Sequence, residues 1–339
     1  MRIVLGLVRL VAGIAILVAA VPAALALLGF AVPAFDLFNH LQFLLFFGTL
    51  ASFILALLVF GRLRAMTWVA ALGFLCSAWI FVPEWVAGRV PRAAETDRPT
   101  ITLMTHNLFG LNYDMERVAR VVAAENPDII ALQEYFPEQA GDLDLLLKPD
   151  YPYWVRCQGG KRANLGLYSR IPFDKEMASG DCPTAPNGQR TAHIIAGFTL
   201  ADGSHFSVMT THMDWPYPIE RQRAEFAEAT ATAKSIEGPL VLVGDFNSTP
   251  WSYALRGFAA ETNLTRETHG ELSYPEIVTV PYRISKDGFA ATIPFLPLDQ
   301  VFQRGLIVHD LHRGPATGSD HLPIIVRFSV APAQVPGPS

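Results

Sequence analysis

Asn107, Glu134, His212, Asp245, Asn247, Asp299, Asp320 and His321 each stand at or beside one end of an apolar run bounded by turn residues. A β-strand delivers a side chain to the rim of a sheet at such a place. One residue of this kind means little, because Asp and Asn commonly end strands as turn formers, and that plain reading stays open for Asn107 and Asp299. Taken together the residues fit one reaction. Hydrolysis of a phosphate ester needs a hard cation to neutralise charge on the phosphoryl oxygens, and Mg²⁺ is held by one or two carboxylates with waters and substrate. Glu134, emerging from the apolar strand DIIALQE, is the first choice of metal ligand, and Asn107 is placed to brace that carboxylate or a water beside the cation. In GDFN, Asp245 and Asn247 lie two apart, so in an extended segment both side chains point the same way and grip one attacking water or one phosphoryl oxygen. Asp320 and His321 are adjacent and point apart, which turns Asp320 toward the metal and His321 toward the phosphate. Asp299 is the carboxylate expected to orient His321 and stabilise its charged form. His212 is left to donate to the developing charge.

These residues need a scaffold, and the apolar pattern supplies one. Strands are expected over 101–107, 128–134, 153–156, 165–169, 193–200, 206–212, 240–245, 298–302, 306–311 and 324–330. Helices are expected over 115–125 with Asp114 as N-cap, 138–147, 219–236 and 252–258. That is too many strands for one simple parallel sheet, so two packed sheets flanked by helices are expected. Residues 262–297 carry Pro and Gly with weak periodicity and read as loops near a site. No internal repeat is visible, and the tail 331–339 reads as disordered.

The front of the chain is different in kind. Of 339 residues 51% are hydrophobic and 17% charged, with 26 Lys and Arg against 31 Asp and Glu. Six of those basic and three of those acidic residues fall in 1–95, which leaves 20 against 28 beyond, a formal charge of −8. Such a balance argues against a surface that wraps duplex nucleic acid. Three stretches, 11–30, 41–60 and 65–83, carry no Lys, Arg, Asp or Glu over about the 20 residues that cross a bilayer. Three transmembrane helices are expected, serving as an anchor; a cleavable signal peptide is the competing reading of the first. Arg2, Arg9, Arg62 and Arg64 flank these stretches while the loop 31–40 has no basic residue but His40. The positive-inside rule then puts the rest of the chain on the outer side of a cell inner membrane. The expected division is a membrane anchor with a short linker over 1–95, a catalytic domain over 96–330 and a tail over 331–339. Cys157 and Cys182 are the two cysteines beyond the spans, and their pairing is left open.

The ordered set THNLFG, LQE, GLYSR, THMDWP, GDFNSTP, LDQVF and GSDHLP resembles the endonuclease/exonuclease/phosphatase superfamily over residues 99–330. The resemblance implies an α/β four-layer sandwich of two mostly antiparallel sheets between helices, and metal-dependent cleavage of a phosphate ester. By motif match it assigns catalytic places to Asn107, His212, Asp245, Asn247, Asp299 and His321 and metal-binding places to Glu134 and Asp320. Mg²⁺ is the expected cofactor, with Mn²⁺ a substitute. The expected substrate is a nucleic-acid or phospholipid phosphodiester, the expected partner a lipid bilayer, and no obligate protein partner is implied. A phosphate-binding scaffold of the same fold without turnover is the alternative. Phe109 departs from the Asn, any residue, Asp pattern of many nuclease members, which weakens kinship with abasic-site enzymes. Arg190 is a candidate phosphate contact and Arg170 a surface ion pair. Asp214, Trp215 and Tyr217 are candidates for the substrate entrance.

Overall fold

The computed structural model describes residues 2–62, 64–157, 164–174, 179–181, 192–281, 283–286 and 288–332. Arg190, Cys182 and most of the tail lie outside the described residues, and with them the expectations about a phosphate contact, a Cys157–Cys182 pairing and disorder. The chain divides into two compact units. The first holds residues 1–90 with 248–257, and the second holds 91–247 with 258–339.

In the first unit, helix α1 (Arg2–Ala26), the short helix α2 (Pro33–Asp36), α3 (Gln42–Phe60) and α4 (Ala65–Ala87) follow one another. Three stretches, Arg2–Ala26, Pro33–Phe60 and Ala65–Ala87, are long and apolar enough to cross a membrane. The first helix begins earlier and ends earlier than the uncharged stretch 11–30 suggested. Absence of charge marks the depth of apolar surroundings, whereas a helix runs on until a turn stops it, here the turn before Pro33 at the start of α2. Small residues set the spacing: Ala12, Ala20, Ala23 and Ala26 are buried, and a Cβ on Gly73 would come 2.5 Å from the Ala20 Cβ. Backbones this close are the usual packing of helices that cannot rely on water to press them together. Glu84 lies in α4 and is buried.

The second unit opens with β1 (Thr100–Asn107), α5 (Met115–Glu125), β2 (Ile129–Gln133), α6 (Pro137–Leu147), β3 (Tyr153–Cys157) and β4 (Leu165–Ser169). It continues with β5 (Ser179–Asp181), β6 (His193–Thr199), β7 (His205–His212), α7 (Ile219–Ser235), β8 (Leu240–Asp245), α8 (Tyr253–Thr262), β9 (Thr265–Arg266), β10 (Ile277–Thr279) and β11 (Phe289–Ala291). It closes with β12 (Asp299–Arg304), β13 (Leu306–Arg313) and β14 (Ile324–Val330). Two six-stranded sheets run β13-β14-β1-β2-β4-β3 and β5-β6-β7-β8-β12-β9. Each is antiparallel except for one central pair, β1 with β2 and β7 with β8. The two sheets thus repeat one scheme that no sequence repeat announces. The hairpin of β10 and β11 corrects the expectation of loops over 262–297.

Side chains on alternate residues explain the layers. Leu103 and Val326 of one sheet pack with Val208, Val243 and Val301 of the other in one buried cluster. Met104, Ile130 and Ile325, on the opposite face, pack on Val118, Val122 and Leu143 of α5 and α6. Helix α5 starts where expected, with the Asp114 carboxylate accepting from the Arg117 N–H at 3.0 Å, and ends at Asn126 in the left-handed region, φ 49°. On the far side, Phe226 and Phe258 cover Phe246 and Phe302. Leu103 is fully buried between the sheets, so Leu103→Ala is expected to cost about 2–5 kcal/mol from lost transfer energy and the cavity left behind. A fall in the thermal unfolding midpoint checks it, and an unchanged midpoint contradicts the assignment of this core.

Candidate active site

The parallel pair in each sheet decides where chemistry can collect. Parallel neighbours finish at the same edge, and here Asn107 pairs with Gln133, one residue before Glu134, while His212 pairs with Asp245. Antiparallel β12 begins at that edge, pairing Asp299 with Asp245. Gln133 bridges the two sheets just beneath, its Nε2 donating to Thr105 Oγ1 at 3.2 Å and Thr210 Oγ1 at 3.1 Å. The register of both sheets therefore fixes the site. Gly244 permits it: with φ +145°, a Cβ there would come 2.0 Å from the Thr211 carbonyl oxygen.

Asp245 is the hub. It is 1% exposed. Its Oδ2 accepts from Asn107 Nδ2 at 2.9 Å and lies 3.5 Å from His212 Nε2 and 3.7 Å from His321 Nε2. Its Oδ1 accepts the Asn247 N–H at 2.8 Å. Burial opposes ionisation of Asp245, but the His321 charge and the His212 hydrogen bond outweigh it and hold the carboxyl below its ordinary range. Asp245 and Asn247 do come together, though not as side chains of one extended segment. Asn247 sits in the left-handed region, φ 45°, and an Asx turn brings it back onto Asp245. Its Nδ2 donates to the Met213 carbonyl at 2.9 Å, and its buried Oδ1 has no partner among the described residues.

His321 stands between two acids, with Nδ1 2.8 Å from Asp299 Oδ2. Burial disfavours its charge, yet Asp299 and Asp245 more than compensate and push it up to about 10. Ser273 Oγ donates to the same Asp299 oxygen at 2.6 Å, and the Tyr274 ring packs 4.7 Å from the imidazole. Ser319 Oγ accepts the His321 N–H at 3.0 Å and donates to the Asn107 carbonyl at 2.7 Å, locking GSDHLP onto β1.

Glu134 reaches the same place. Its Oε1 lies 4.0 Å from His212 Nε2 and its Oε2 accepts the Gly110 N–H at 2.8 Å. Like Phe109 and Asn247 it has a positive φ, 52°, and non-glycine residues in that region cost about 1–3 kcal/mol each and cluster at functional sites. Asp320 feels the same field. Burial pushes its carboxyl up to about 6, and the Glu134 and Asp245 charges add to the effect against that of His321.

Two places have donors for a cation. Asp245, Asp299 and His321 offer ligand atoms within 4.8 Å of one another, with His321 Nδ1 and Asp299 Oδ2 already engaged with each other at 2.8 Å. Glu134 and Asp320 are two further carboxylates, and the Glu134 charge adds to the potential that raises Asp320.

Several finer expectations change. Asp214, a candidate for the substrate entrance, is buried, accepts from Arg221 at 3.0 Å and presents its own N–H to Glu225 at 2.6 Å, which is the work of a structural turn. Trp215 is half-exposed and edges onto Tyr274 at 5.9 Å, and Tyr217 is exposed. Arg170 stacks over Tyr151 at 4.7 Å, and no ion pair of it is seen among the described residues. Ser273, Tyr274 and the Gly110 N–H were not singled out in the sequence. Neither was His106, whose Nε2 meets Thr317 Oγ1 at 2.7 Å and which burial, with His321, lowers to about 3.

The fold is a two-sheet sandwich whose acids, amides and imidazoles converge at one end of the two central parallel pairs. The family model described as Endonuclease/Exonuclease/phosphatase family matches residues 104–321, and the chain belongs to that family. Among curated relatives, a UPF0294 protein of Vibrio cholerae is 31% identical over 136 residues, 40% of this chain and 44% of that protein. The match thus spans less than half of that relative's length. Among solved structures, an endonuclease/exonuclease/phosphatase family protein from Bacteroides thetaiotaomicron aligns with TM-score 0.53 at 17% identity, covering 69% of this chain and 99% of that one. D. rerio TDP2 complexed with single strand DNA product gives TM-score 0.53 at 16% identity, covering 68% and 99%. A mannosyl-6-phosphatase from the same Bacteroides species gives 0.50 at 18%, covering 67% and 99%.

Proposed function

We propose that the chain is a membrane-anchored, outward-facing, Mg²⁺-dependent phosphodiesterase. The observation that carries the reading is the meeting of Glu134, His212, Asp245 and His321 within 4.0 Å steps where strands of both sheets end. Glu134 and Asp320 would hold the cation, and Asn107 braces Asp245. When bound, the ion neutralises charge on the phosphoryl oxygens and favours attack at phosphorus. Asn247, through its buried Oδ1, orients the attacking water, and Asp245, kept ionised, takes its proton. His321, held charged and fixed in direction by Asp299, donates from Nε2 to a phosphoryl oxygen, and His212 donates beside it as negative charge grows. The three apolar helices and the Arg residues at 2, 9, 62 and 64 support an outward catalytic unit anchored in a bilayer.

Neighbours described as bound to a DNA product and as a sugar-phosphate phosphatase support a phosphate-ester substrate, and the anchor favours esters presented near a lipid surface. The test uses full-length protein in detergent micelles with Mg²⁺ and bis-p-nitrophenyl phosphate, followed by plasmid DNA, RNA, sphingomyelin and phosphoinositides in parallel. Nitrophenol release that EDTA abolishes and Mg²⁺ or Mn²⁺ restores is expected. No release from any of these substrates with either ion contradicts the reading.

A further inference from the structure

The membrane-spanning unit is built around a buried acid that the function above does not use. Asp36, at the end of α2, is 9% exposed. Its Oδ1 accepts the Tyr253 N–H at 2.9 Å and its Oδ2 accepts Ser252 Oγ at 3.1 Å and the Ala254 N–H at 3.2 Å. In effect the acid caps the first turn of α8 from a distant part of the chain. The segment around Ser252 is held at further points within the same unit. Thr249 Oγ1 donates to the Asn39 carbonyl at 3.2 Å, its N–H donates to His40 Nδ1 at 3.3 Å, and Tyr253 OH donates to the Leu27 carbonyl at 3.1 Å. Trp251 stacks on Phe81 at 5.4 Å in a buried cluster with Ala26 and Ile80.

Behind Asp36 runs a chain of buried amides and hydroxyls. Asn39 Nδ2 donates to Asp36 Oδ1 at 2.8 Å, Gln42 Nε2 to Asn39 Oδ1 at 3.1 Å, and Ser77 Oγ, on α4, to Gln42 Oε1 at 3.0 Å. Asn39, Gln42 and Ser77 are fully buried. Polar groups so placed among apolar helices are costly unless every member is satisfied. A tether needs no such network. What the network holds is the run Thr249–Ala254, and Ser248 follows Asn247 by one peptide bond. Asn247 keeps a left-handed backbone, which persists where the flanking chain over-determines it.

Resting on the phosphodiesterase reading, we infer that Asp36 is a positioning residue for catalysis: through Ser252 and the first α8 amides it fixes the chain that leaves Asn247. A displaced catalytic group of about 1 Å costs up to about 100-fold in rate even when the altered residue is remote.

The test compares full-length wild type, Asp36→Ala, Asp36→Asn, Ser252→Ala and, as control, Leu58→Ala, at a residue 80% exposed on α3. All are assayed in micelles with Mg²⁺ and bis-p-nitrophenyl phosphate. Asp36→Ala is expected to lower kcat about 10- to 100-fold with KM nearly unchanged, and to strip hydrogen-exchange protection from the Tyr253 and Ala254 amides. Asp36→Asn, which keeps an acceptor, recovers part of kcat, Ser252→Ala loses less than Asp36→Ala, and Leu58→Ala behaves as wild type. If Asp36→Ala does not fold, Ser252→Ala and Asp36→Asn carry the comparison. Lost protection at these amides with kcat undiminished overturns the inference and leaves the phosphodiesterase reading standing. A silent wild-type chain overturns both.

Discussion

Glu134→Gln in the full-length protein is expected to lower kcat for bis-p-nitrophenyl phosphate by at least about 10³-fold. A bound divalent cation supplies several kcal/mol of charge stabilisation, and each 1.36 kcal/mol is a factor of about ten. Gln has the shape of Glu, and its amide oxygen still accepts the Gly110 N–H that Glu134 Oε2 receives at 2.8 Å, so the left-handed turn at residue 134 and the fold are kept. What leaves is the negative charge beside Asp320. The Asp320 carboxyl, pushed up to about 6 by burial with Glu134 adding to it, then moves down and stays ionised, but one carboxylate has to hold the ion alone. Two measurements separate this from a folding defect. The circular dichroism spectrum and unfolding midpoint stay near wild type, and Mg²⁺ or Mn²⁺ affinity by titration calorimetry falls with kcat. A variant that keeps more than about a tenth of wild-type kcat at saturating Mg²⁺ removes Glu134 from the metal site.

The parts of this site that could be read in the sequence share one property. Glu134, Asp245 and His321 each stand within two residues of an apolar run, and a strand end is a place where such a run can present a charge without burying it unpaired. Ten strands were legible for the same reason, and α5 was legible from Asp114 because a cap leaves a local mark. The hairpin β10–β11 was not: its strands are three residues each and partly exposed, so neither length nor alternation distinguishes them from loop. Ser273 was invisible because a serine in a Pro- and Gly-bearing stretch carries no pattern, and it becomes meaningful only when the fold sets it 2.6 Å from Asp299. The Asp245–Asn247 pair was found for an incomplete reason. Spacing of two fits a strand, but Asn tolerates the left-handed region, and the turn it makes aims the side chain differently from a pleat. In the front of the chain, counting charges finds apolar spans yet passes over Asn39, Gln42 and Ser77, whose partners are set by helix packing and not by composition.

Asp299→Asn tests the other half of the site, and it is expected to cost about 10²–10³-fold in kcat, the range for removing one preorganised stabilising group. Asp299 Oδ2 receives both His321 Nδ1 at 2.8 Å and Ser273 Oγ at 2.6 Å, so the acid sets the direction of the ring and the charge on it. Asn offers one neutral oxygen to the same donors. His321 is opposed by burial and upheld by Asp299 first and Asp245 second, which together push it up to about 10. Without the Asp299 charge that value falls. The sign follows: a group needed in its protonated form gives a rate that declines as pH rises through its pKa, so the alkaline limb of the kcat profile shifts to lower pH in Asp299→Asn. Ser273→Ala, which removes a donor but leaves both acids, shifts the limb little and costs less. On the proposed reading Mg²⁺ affinity is expected to stay near wild type in Asp299→Asn while it falls in Glu134→Gln, because the carboxylate at 299 is engaged with the imidazole and Glu134 is the proposed ligand. An alkaline limb unmoved by Asp299→Asn means that His321 does not act as a charged donor, and a Mg²⁺ affinity lost in that variant moves the ion to the cluster of Asp245, Asp299 and His321.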